Sequence, residues 1–162
     1  MAILTACLAW SARAADSVSP EAAEDARILV ENAVAVGRIR LAREGSFHPF
    51  AFFMGADGRV QRVSPKQDAR LPSPDDVLAL LQQAFRERVQ AGDCRAVAVV
   101  ADVVIALPGG GQSDALQVGV EHQDGYCANF FHPYERATDG TIRFLEPISS
   151  ERKGIVFPDC RA

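Results

Sequence analysis

The run from Ala96 to Leu107, AVAVVADVVIAL, carries one charge and stops abruptly at Pro108-Gly109-Gly110-Gly111. An apolar, Val-rich run of this length is not stable in water, and its β-branched content and Gly/Pro boundary mark it as a strand inside a sheet. Leu116 to His122 follows, then Asp124-Gly125, then Tyr126 to Tyr134. An Asp-Gly pair between extended, β-prone segments is the strongest short-range hairpin signal. Cys94 to Tyr134 therefore forms the centre of an antiparallel sheet.

The flanking chain supplies the other elements. Ser19-Pro20-Glu21 reads as N-cap, first helical position and first-turn acid. Ala26, Ile28, Leu29, Ala33, Val34 and Val36 follow at helical spacing until Gly45, predicting a helix from Pro20 to Arg43. Phe47 to Met54 and Arg59 to Val63 read as strands joined at Asp57-Gly58. Ser64 to Pro72 is a polar loop. Ser73-Pro74-Asp75-Asp76 repeats the helix-start signal, and Val77, Leu80, Leu81, Ala84, Phe85 and Val89 form one stripe ending at Gly92. Asp139-Gly140 leads to a strand over Thr141 to Leu145, and Ile155 to Phe157 is a short edge strand.

Links this short require antiparallel pairing. The expected fold is α+β, with order α-β-β-α-β-β-β: a sheet of about five strands, one face covered by two helices. That order is similar to profilin-like and roadblock-like domains. The resemblance is one of topology and implies no function.

The chain has 162 residues and is 48% hydrophobic, enough for a single core, so residues 15–162 form one domain. A net charge of −4 with no basic run excludes the counterion-displacing footprint of a nucleic-acid binder. No apolar stretch reaches the roughly 18 residues of a membrane span, so no integral membrane segment is expected.

Residues 1–14 read as a signal peptide: the apolar Met1 to Trp10 precedes Ala12-Arg13-Ala14, although the basic n-region is missing. Leu4-Thr5-Ala6-Cys7 also matches a lipoprotein-processing box, with few residues ahead of it. Cleavage makes the protein periplasmic or secreted and removes the only Trp, Trp10. Retention makes it cytoplasmic. The exported chain keeps Cys94, Cys127 and Cys160, giving one bridge and one odd thiol in an oxidising compartment. Cys94 with Cys127 is the pair the neighbouring strands suggest.

Taken as a two-residue turn, Asp124-Gly125 sets His122 opposite Cys127, Glu121 opposite Ala128 and Val118 opposite Phe131, and opposed residues share a face. Imidazolium beside a thiol stabilises the thiolate, so Cys127 and His122 are the candidate catalytic pair. Asp102, the carboxylate inside the apolar run, is the third candidate. Zinc held by Cys127 with His122, His132 or Glu121 is the competing reading. No CxxC or HxxxH is present, and this register puts the two histidines on opposite faces, so no metal or cofactor is assigned. Gly109-Gly110-Gly111 lacks the Lys-Ser/Thr and helix of a phosphate loop, and is a hairpin loop. Phe47-His48-Pro49-Phe50 and Phe130-Phe131 are packing or contact aromatics. The leading expectation is a small exported module that binds an unknown protein or small ligand. The alternatives are a thiol enzyme using Cys127 and His122, or a cytosolic roadblock-like regulatory module.

Overall fold

A computed structural model describes residues 18–64 and 72–160. The leader, Cys7, Trp10 and most of the loop from Ser64 to Pro72 lie outside the described residues. The chain runs α1 (Pro20–Glu44), β1 (Phe50–Gly55), β2 (Val60–Val63), α2 (Pro74–Ala91), β3 (Cys94–Ala106), β4 (Gln112–His122), β5 (Cys127–Arg136), β6 (Ile142–Phe144) and β7 (Ile148–Glu151). All pairings are antiparallel, in the order β2-β1-β3-β4-β5-β6, and β7 pairs the other half of β5. The α+β class and the element order match expectation. Among the described residues the strand count is seven rather than about five, and the last strand lies at Ile148–Glu151 rather than Ile155 to Phe157.

Both helices begin and end where the side chains dictate. Ser19 Oγ accepts the N–H of Ala22 at 3.1 Å, and Ser73 Oγ accepts that of Asp76 at 3.2 Å, each ahead of a proline. Gly45 and Gly92 stop the helices in the left-handed region, φ 78° and 74°, where a Cβ would be strained.

The two helices cover opposite faces of the sheet, not one. Ala26, Leu29, Ala33 and Leu41 of α1 pack on Phe50, Phe52, Ala98, Val100, Leu116 and Val118. Val77, Leu81 and Phe85 of α2 pack on Ala51, Phe53 and Val97. The alternating strand faces explain it: β1 and β3 are apolar on both sides, so each side demands its own cover. Leu80, placed in the α2 stripe, is exposed. At Gly37 a Cβ would stand 2.1 Å from Leu116 Cδ1, so this glycine lets α1 sit close on β4.

The four hairpins among the described residues use the same loop. Gly58, Gly110, Gly125 and Gly140 each occupy the third loop position with positive φ, and each donates its N–H to the residue three before it. The ladder bond ahead of each loop spans three loop residues, as in His122 N–H to Tyr126 O at 2.9 Å. This is a type I turn followed by a left-handed glycine. A two-residue Asp-Gly turn of type I′ would force Asp124 to positive φ, and among the described residues only glycines adopt it. The register of β4 and β5 is therefore shifted by one from the expectation: Glu121 faces Cys127, Val120 faces Ala128 and Val118 faces Phe130.

Candidate functional site

One residue of slip moves every side chain of a strand to the other face. His122 lies on the α1 side with Val118 and Val120, whereas Cys127 lies on the α2 side with Val97. The sulfur of Cys127 is bonded to Cys160, with Cα atoms 5.6 Å apart, so the bridge is not Cys94–Cys127. Cys94 is buried and free, and burial pushes its thiol up to about 11. Asp102 sits on the α1 side but pairs Leu116, while His122 pairs Ala96. Six positions along β3 separate them by about 20 Å. The three residues named for catalysis thus occupy three separate environments.

His122 belongs to a buried ionic cluster that the sequence reading missed. A β-bulge produces it. Met54 pairs Ala96 and Gly55 pairs Cys94, so Arg95 is the extra residue, and its side chain reaches the α1 side. Arg95 Nη2 donates to Asp25 Oδ1 at 2.9 Å, its Nε lies 2.8 Å from Oδ2, and its Nη1 meets Glu21 at 2.9 Å. His122 Nδ1 accepts the N–H of Asp124 at 3.0 Å, which leaves Nε2–H to donate to Asp25 Oδ2 at 3.1 Å. Both ring nitrogens are thereby committed, and the ring has no exposed surface. An imidazole so placed has no lone pair to offer a substrate. It fastens the start of α1 to β3 and the β4–β5 loop, and Ser19 Oγ adds a bond to Asp124 at 2.7 Å. Asp25 was legible as an acid at a core-facing position between Ala22 and Leu29.

On the opposite face Glu121, 1% exposed, grips the C-terminal segment. Its Oε2 accepts the N–H groups of Ile155, Val156 and Phe157 at 2.9, 2.7 and 3.1 Å, and its Oε1 takes Arg152 at 2.7 Å. Glu121, Cys127 and Cys160 bring ligand-type atoms within 4.8 Å of one another. The carboxylate already has four donors and the sulfurs are bonded to each other, so the trio is arranged as an anchor. Close packing requires glycine twice here: a Cβ at Gly119 would fall 1.6 Å from Arg152 Nη1, and one at Gly154 would fall 2.3 Å from Cys160 Cβ.

At the other end of the sheet Asp102 accepts the hydroxyl of Tyr134 at 2.8 Å. Burial raises the Asp102 carboxyl above its ordinary value, against the lowering effect of that hydrogen bond. His132 is half-buried on the α1 side of β5, its Nε2 meets no hydrogen-bond partner among the described residues, and burial with nearby Arg38 lowers its pKa.

An open groove lies beside α1. Ala23, Ala26 and Val30 of the helix face Tyr126 and Phe130 across a groove of about 380 Å³, and Arg27 and Glu31 stand at its rim. Its floor is the α1-side strip of β5. There Tyr126, Ala128, Phe130 and His132 are only half-buried, because α1 rests on β1, β3 and β4. The volume falls in the ordinary range of ligand sites, and the lining is apolar with few polar groups. No helix among the described residues is long and apolar enough to cross a membrane. No protein-family model, no curated protein and no solved structure matches this chain.

Proposed function

We propose that this chain is a small exported binding module whose ligand occupies the groove between α1 and β5. The observation that carries the reading is the half-covered strip of β5, an apolar concavity with aromatic walls beside a helix. Two features support it. The Cys127–Cys160 bridge suits an oxidising compartment. The nearest approach to a catalytic set, around His122, has its ring nitrogens saturated.

The neutral fluorophore N-phenyl-1-naphthylamine tests the groove. Its emission rises on adding the protein, and Val30→Asn or Phe130→Ala abolishes the rise while circular dichroism stays unchanged. An equal rise with both variants would refute a ligand in this groove. Intact mass of the protein from the periplasm or medium tests export, with loss of residues 1–14 the expected result.

A further inference from the structure

We propose that the ligand is a partner's amphipathic helix with a cationic flank, laid antiparallel or parallel to α1 on β5. The inference rests on the groove reading above and names its occupant. Two observations carry it, one of shape and one of charge.

Strands lie about 4.8 Å apart and a helix is about 10 Å wide, so one helix covers roughly two strands. On this face α1 lies over β1, β3 and β4, and β6 contributes Ile142 and Phe144 at the far end. What remains beside α1 is β5 with its outer partner β7, two strands and so about one helix wide, running from Tyr126 through Ala128 to Phe130. Tyr126, Phe130 and Val30 offer the apolar steps that anchors at i, i+3 or i+4 and i+7 of a docked helix would fill. A second strand could not use this strip, because β5 already pairs β4 on one edge and β6 and β7 on the other.

The surround of the groove is acidic. At the rim the single guanidinium of Arg27 is shared by Glu24 at 2.7 Å and Glu31 at 2.6 Å. At the end near Tyr126, Arg95 is shared by Glu21 and Asp25, and Asp124 stands beside them. Four exposed carboxylates and the buried Asp25 therefore meet two guanidinium groups at this end, and Arg38 stands at the other end near His132. An apolar helix flanked by Lys or Arg complements that excess, and an acidic one is repelled. A second copy of this chain, with α1 as its exposed helix, would bring Glu24 and Glu31 against their own kind.

The test uses the purified protein and two fluorescein-labelled peptides of about 18 residues, the length of an ordinary helix, one of Leu and Lys and one of Leu and Glu in the same amphipathic pattern. Anisotropy should show the Leu/Lys helix binding at least about tenfold tighter than the Leu/Glu helix, a difference worth a few rim charge contacts. Val30→Asn should weaken it by about tenfold through the lost apolar anchor. The double variant E21Q/E24Q touches no lining residue of the groove, so it should keep N-phenyl-1-naphthylamine binding yet lose the preference for the Leu/Lys helix. Equal binding of both peptides, or Leu/Lys binding indifferent to both variants, overturns the inference. So does a dimer in sedimentation equilibrium that Val30→Asn dissolves, because a second copy is then the occupant. If the fluorophore binds in a Val30-dependent way and neither helix does, the partner is wrong and the groove stands. If nothing binds, both fall.

Discussion

His122 and Cys127 sit at the two ends of one tight hairpin and project from opposite faces of the sheet. Their separation follows from a single loop residue, because the three-residue Gln123-Asp124-Gly125 loop replaces a two-residue one. Each then finds a partner on its own side: Asp25 for the imidazole and Cys160 for the sulfur.

The bridge makes a countable prediction. Under denaturing, non-reducing conditions the chain without residues 1–14 should titrate one thiol, Cys94, and a chain retaining Cys7 should titrate two. In the native state Cys94 should resist iodoacetamide at pH 8, because its thiol titrates near 11 and is buried. Cys160→Ser closes no loop and should cost about 2–4 kcal/mol in urea denaturation, given the 33-residue separation.

Glu121→Ala removes a buried carboxylate from the buried amides of Val156 and Phe157 and from the part-buried amide of Ile155 and guanidinium of Arg152, and should cost about 3–5 kcal/mol. Gly119→Ala should act on the same contact by pushing Arg152 away. A double-mutant cycle checks this: most of the Gly119→Ala cost should vanish in the Arg152→Met background. Additive costs would show that the Cβ strains the backbone instead.

Asp25→Ala leaves His122 Nε2 without its acceptor and Arg95 with Glu21 alone, and should destabilise the fold by about 3–5 kcal/mol. Amide exchange gives the sharper readout. The first two turns of α1 and the N–H of Asp124 should lose protection, while β6 and the far end of α1 should change only in proportion to global stability.

Asp102 supplies a pH signature. Its folded carboxyl titrates above its unfolded value, so its contribution is fully present below about pH 4 and fades as pH rises through the raised value. Asp102→Asn keeps an oxygen for the Tyr134 hydroxyl and removes the titration. Relative to that variant, the native chain should therefore gain stability on acidification from neutral pH towards pH 4, measured by urea midpoints. No change in the difference across that window would show that the carboxyl is not perturbed.

Helix starts were readable because Ser-Pro-acid and a terminal glycine act locally, and both caps fall at Ser19, Gly45, Ser73 and Gly92. The order of elements and the hairpins were readable from the glycine-marked bends, whereas the pairing of β1 with β3 was not. The register was not, because Asp-Gly serves both a two-residue turn and the last two places of a three-residue one, and only the sign of φ at Asp124 separates them. Arg95 was unreadable for a related reason: a bulge breaks the alternation that would assign its face. The opposite placement of the helices needed β1 to be seen as buried on both sides, which Phe50-Ala51-Phe52-Phe53 displayed. Cys160 and the Glu121 anchor depend on contacts more than thirty positions apart, for which no local pattern exists.

Val156, Phe157 and Cys160 complete the layer beneath α2 and come after every helix and strand of the fold in chain order. A growing chain can form the β3–β4 hairpin and seat α1 early, yet its α2 side stays open until residue 160 arrives. Oxidation can then seal it only after synthesis has passed that point.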